Sequence, residues 1–107
     1  MTEIINLPDD FIGKEDERKL ESFGGHLVGR GYATRWHWNR DQGVDVAFEI
    51  YRGGAKEELL ASIRRDRDKD LFCAVDAAGR SIVEGSLEHV MAGVDGLASA
   101  LHDQGPA

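Results

Sequence analysis

Four histidines, one cysteine and a tight run of charges are the first residues in this chain whose types could do chemistry. His26, His37, His89 and His102 include no pair at the close helical or turn spacing of common zinc motifs, and Cys73 stands alone, so no metal centre is expected. If His89 and His102 share one helix, they stand about 20 Å apart along its axis, too far to hold a single ion. A nucleophile needs an activating partner within hydrogen-bond reach. Cys73 sits inside the apolar run Leu71–Val75, where a thiol behaves as a small core hydrophobe. No serine lies in a Gly-x-Ser-x-Gly turn, and Gly24-Gly25 and Gly53-Gly54 lack the spacing and the lysine of a phosphate loop. No catalytic residue and no cofactor is expected.

Binding chemistry has more candidates. The stretch Arg64-Arg65-Asp66-Arg67-Asp68-Lys69-Asp70 mixes signs closely. It reads either as a solvated turn or as a contact loop in which Arg64, Arg65 and Arg67 grip a carboxylate or phosphate by paired hydrogen bonds. Trp36 and Trp38 share one face of a period-two segment, which makes them core residues or an exposed aromatic anchor for a partner. Glu84, Glu88 and Asp95 form an acidic set that is either a plain solvent face or a surface that imitates phosphates.

Charge and length bound what such residues can serve. Twenty acids against 13 bases give 107 residues a net charge of −7. A chain of that sign is repelled by phosphate backbones and anionic lipid, so direct nucleic-acid binding through a broad basic face is not expected. No stretch nears the ~20 apolar residues of a membrane span, and the first eight residues show no basic or apolar leader. One cysteine allows no internal disulfide, which fits a reducing compartment. These features predict a small acidic cytoplasmic protein without a membrane segment.

The elements that must position the candidates follow from periodicity. Residues 1–107 read as a single α+β domain with an N-terminal arm over 1–13 and a flexible tail over 103–107. Asp9 and Asp10 offer caps for a helix over 14–29, in which Leu20, Phe23 and Leu27 make one apolar stripe. Gly24 and Gly25 weaken that helix by ~1 kcal/mol each relative to alanine and mark a point where it ends or kinks. Gly29 and Gly31 supply stop signals. Alternation of apolar and polar residues then predicts strands from Tyr32 to Trp38, from Val44 to Ile50, from Leu71 to Val75 and from Ser81 to Glu84, with turns at 40–43 and 78–80. Residues 55–70 carry both helical and alternating signals; even spacing of short strands favours a strand there. Ser86 caps a final helix from Leu87 to His102 whose apolar positions are Leu87, Val90, Met91, Val94, Leu97, Ala98 and Leu101. The expected fold is therefore an N-terminal helix, an antiparallel meander of four or five strands, and a C-terminal amphipathic helix packed on the sheet.

The strand–Gly–strand–Gly–helix pattern of residues 71–102 resembles the end of the double-stranded-RNA-binding domain. That family's helix carries lysines for phosphates and this one has none, so RNA binding does not carry over. In size, acidity and architecture the chain also resembles small phage-encoded inhibitors, such as some anti-CRISPR proteins. The functional expectation is a non-enzymatic protein that binds a macromolecular partner, a protein, as an inhibitor or accessory factor of phage or plasmid type. The alternative is a small enzyme or ligand-binding module with a pocket between sheet and helix, served by Arg35, His37 and Cys73. A homodimer is expected as well, because one helix cannot cover both ends of a meander; its patches would be the Trp36/Trp38 strand and the stripe of the last helix.

Overall fold

A computed structural model of the chain describes residues 12–40, 46–53, 56–66 and 69–103. The expected arm up to residue 11 with its Asp9 and Asp10 caps, most of the turn at 40–43, Arg67 and the tail from 104 lie outside the described residues. Helix α1 (Lys14–Gly29) is followed by strands β1 (Arg35–Asn39), β2 (Ala47–Arg52), β3 (Glu58–Asp66), β4 (Leu71–Val75) and β5 (Ser81–Gly85) and by helix α2 (Leu87–Asp103). The strands form one antiparallel sheet in the order β1-β2-β3-β4-β5. This is the α+β meander the alternation predicts, with five strands.

Helix α1 has Gly13 at its N-cap position and no side-chain cap, so Glu15, Asp16 and Glu17 in its first turn are what complement the exposed N–H groups. The helix runs without a break through Gly24 and Gly25 and stops at Arg30. There Gly31, at φ 80°, takes the left-handed conformation, and the Tyr32 N–H returns to the Leu27 carbonyl at 2.9 Å. Helix α2 begins as its sequence predicts: the Ser86 hydroxyl accepts the His89 N–H at 3.1 Å. Asp103, expected in the tail, belongs to this helix.

Within the segment of double signal, Glu58–Asp66 is strand, and this β3 is the middle strand of the sheet. A helix there would leave the apolar faces of β2 and β4 without a neighbour. The stretch read as a loop from Arg64 is also part of that strand as far as Asp66. Between β4 and β5, Asp76 closes the turn. Its carboxylate accepts the N–H groups of Ala78 and Arg80, both at 2.9 Å, and Gly79 adopts φ 83°. Those two bonds favour the charged form and hold the Asp76 carboxyl below its ordinary value.

Cross-strand partners give the sheet its two faces. Trp38, Phe48, Ile63, Ala74 and Val83 pair in turn across all five strands. Phe48, Ile63 and Ala74 in this row are fully buried, as are Leu20 and Leu27 of α1 and Val90 and Val94 of α2. Both helices therefore sit on this one face, α1 over β1 and α2 over β3 to β5, and they touch each other. Gly24 makes the seat of α1: a Cβ there would lie 2.7 Å from Cδ1 of Trp36 and 2.8 Å from Cζ of Phe48. Trp36 and Trp38 are half-buried beneath α1 with ring centroids 5.3 and 4.9 Å from Phe48. The Trp38 indole N–H donates to Glu21 of α1 at 2.8 Å, and Arg40 pairs with Glu17 at 3.0 Å.

Candidate functional site

The second row of partners, His37, Glu49, Ser62, Val75 and Ser81, points away from both helices. Among the described residues no element lies over this outer face. Its centre is Glu49, whose side chain is only 15% exposed. The Tyr51 hydroxyl donates to Glu49 at 2.8 Å and the Asn39 amide at 3.3 Å, while His37 Nε2 stands 3.9 Å away. Arg35 lies beside this group with its guanidinium 4.2 Å above the Tyr51 ring, and it grips Glu57 at 2.8–3.0 Å through Nε and a terminal nitrogen. The Thr34 hydroxyl donates to the same Glu57 at 3.3 Å. Arg35 thereby holds the Glu57 carboxyl below its ordinary range.

Two polar atoms of the neighbouring strand, Ser62 Oγ and Arg64 Nε, are buried here without a hydrogen-bond partner among the described residues. Ser62 is 3% exposed. Arg64 faces Cys73 across β3 and β4, and Cys73 in turn faces Glu84. Burial pushes the Cys73 thiol up, and the nearby Asp66 carboxylate adds to that. A thiol held protonated is a poor nucleophile at neutral pH. The arrangement is an ordered hydrogen-bonding surface.

The sequence candidates are dispersed over this frame. Arg64 is on the outer face, but Arg65 follows it in a strand and points to the other side, where it pairs with Asp70. Glu84 lies on the outer face near Lys69 at 3.7 Å, whereas Glu88 and Asp95 belong to α2, and Glu88 ties α2 to Lys19 of α1 at 3.1 Å. The expected acidic set is thus split by the sheet. Trp36 and Trp38 occupy the packing role, beneath α1. The Arg35, His37 and Cys73 of the enzyme reading all lie on the outer face, away from any space between sheet and helix. His37 on β1 and Cys73 on β4 are also three strand spacings apart, ~14 Å. Glu49, Tyr51, Asn39 and Ser62 are absent from the sequence candidates. Alternation places Glu49 opposite the core, but its pairing with His37 and Ser62 depends on strand register, which no local pattern fixes.

The Tyr51–Glu49 bond has a measurable consequence. A carboxylate that accepts a hydrogen bond from the phenol favours the neutral phenol, and partial burial acts the same way, so Tyr51 is raised. Its contribution to stability is present below the ordinary value of ~10 and is lost as pH rises through the folded value. Ultraviolet titration of phenolate on a Tyr32→Phe background is expected to place Tyr51 above ~10, and Glu49→Gln to bring it back down. A midpoint at or below the ordinary value in the parent chain would remove this bond from the account.

Among the described residues no three of histidine, cysteine, aspartate and glutamate converge in a metal-binding arrangement, and no helix is long and apolar enough to cross a membrane. Comparison of the chain with protein families, with curated proteins and with solved structures found no match.

Proposed function

We infer that this protein acts by binding a macromolecular partner, a protein, through the outer face of its sheet, as an inhibitor or accessory factor without catalysis of its own. The observation that carries the reading is the one-sided architecture: two helices on one face, and on the other a pre-ordered polar surface centred on Glu49 and Tyr51. Five strands at ~4.8 Å spacing make a surface about 20 Å across, a scale that suits a protein surface better than a metabolite. Side chains already fixed by hydrogen bonds lose little freedom on binding. Both signs of charge occur there, Arg35 and Arg64 with Glu49 and Glu84, which favours a mixed protein surface over a phosphate backbone. A single protonated thiol on this face suits the reducing cytosol.

The test is affinity capture from host lysate with the parent chain and with a His37→Ala, Arg64→Ala double variant. The expected outcome is one band that the parent retains and the variant loses while its thermal melting stays near the parent's. A band captured equally by both would place binding elsewhere.

One observation favours the ligand-binding reading. A hollow of about 370 Å³ lies where α2 meets the end of the sheet, lined by Leu59, Leu60, Leu97 and Leu101 with Arg52, Asp76 and Arg80 among its polar groups. A metabolite at 100 times its dissociation constant would add about 2.7 kcal/mol, a large upward shift in melting temperature. Such a shift would move the function to this hollow. As for the homodimer, both patches expected to mediate it are packed inside, the tryptophans under α1 and the α2 stripe on the sheet; the edges β1 and β5 are where a second copy would pair.

A further inference from the structure

On the helical side of the molecule, a shallow groove of about 530 Å³ is lined by Arg18, Lys19, Ser22, Phe23 and His26 of α1 and by Met91 of α2. Arg18, Ser22 and His26 follow one another at i, i+4 and i+8, and Lys19 and Phe23 form the next stripe of the same helix. Phe23 and Met91 are half-buried against the core and supply an apolar floor. The lining holds two permanent cations and an imidazole, with Glu88 reaching its edge from α2, in a chain whose net charge is −7. Lys19 is shared with Glu88 at 3.1 Å, but Arg18 and His26 make no ion pair among the described residues.

We propose that this groove docks an acidic amphipathic helix of a partner protein. Charge selects the sign: carboxylates on the incoming helix meet Arg18 and compete with Glu88 for Lys19, while the acidic remainder of the surface turns away other approaches of the same helix. Shape selects the conformation. The stretch from Arg18 to His26 is about 12 Å long, the length of two turns of a facing helix, and a third helix lies on two others at 8–10 Å separations, presenting side chains at i, i+3 and i+4 to the floor. The groove is on the opposite side of the sheet from the Glu49 surface and does not rest on the reading of that surface.

Two synthetic helical peptides of about four turns test it, with the same leucine stripe and with either glutamate or lysine elsewhere. Fluorescence anisotropy with the full chain is expected to show the glutamate peptide binding at least tenfold more tightly than the lysine peptide. Arg18→Glu with Ser22→Glu, two exposed positions, is expected to weaken the glutamate peptide by tenfold or more and to reverse the preference. Equal affinities, binding of neither peptide, or no response to the double variant would each overturn the proposal. Light scattering on the chain alone closes the remaining route: a doubled mass abolished by the same variant would make a second copy the occupant and overturn it too.

Discussion

Replacing Phe48 with alanine is expected to cost about 3–5 kcal/mol, the usual range for deleting a buried aromatic ring. Phe48 is 0% exposed, it sits in the row that crosses all five strands, and the rings of Trp36 and Trp38 rest against it. The helix above is in contact as well, because the space over Phe48 is where Gly24 sits. Its loss would leave a cavity between sheet and α1 that neither rigid layer can close. Domains of this size are stable by about 5–15 kcal/mol, so the variant loses roughly a fifth or more of what holds it folded. Urea unfolding followed by tryptophan fluorescence reads this directly, since both tryptophans border the site. Phe48→Leu, which keeps most of the volume, is expected to cost well under half as much. A loss below about 1 kcal/mol for the alanine variant would mean that α1 does not pack where the structure places it.

The second large effect separates two adjacent glycines. Both sit in the interior of α1, where alanine in place of glycine is worth up to ~1 kcal/mol in helix propensity. At Gly25 nothing lies within 4 Å of the added Cβ, so Gly25→Ala is expected to stabilise by about 0.5–1 kcal/mol. At Gly24 the same atom would meet ring carbons of Trp36 and Phe48 at 2.7–2.8 Å. Neither ring is a free chain end that swings aside, and overpacking of this kind costs about 1–3 kcal/mol before the propensity gain is subtracted. Gly24→Ala is therefore expected to lower the melting temperature while Gly25→Ala raises it. Two increases would show that the helix stands further from the sheet than described.

These glycines show where sequence legibility ended. Read locally, Gly24 and Gly25 are two defects in a weak helix. Seen in the fold, Gly24 is the condition for close approach of helix and sheet, and Gly25 is a plain defect in the helix. The reach of α1 from Lys14 to Gly29 and the start of α2 at Leu87 were legible, because apolar stripes and helix-ending residues are written in near neighbours. Period-two runs made the strands legible for the same reason, and even spacing favoured strand for the segment that became β3. Register was not legible. The bulges at Ile50/Tyr51 and Ala74/Val75 shift partners by one residue, and with them which side chains share a row. The candidate surface is made of such rows, so Glu49 and Ser62 could not be joined to His37 without the fold. The charged run from Arg64 misled in another way: its mixed charges suggest a turn, yet its first three residues extend the central strand, where alternation sends Arg64 and Arg65 to opposite faces.

The claim that the outer face is the binding surface is tested most directly at Cys73, the single thiol of the chain, which lies on that face between Arg64 and Glu84. A bulky polyethylene-glycol maleimide, attached there at mildly alkaline pH so that enough of the raised thiol ionises, would cover the surface without altering the core. A control chain with Cys73→Ala and Ala100→Cys carries the same group on the exposed side of α2. With circular dichroism unchanged in both, partner capture is expected to be lost when the group is on Cys73 and kept when it is on residue 100. Capture that survives modification of Cys73 would contradict the account.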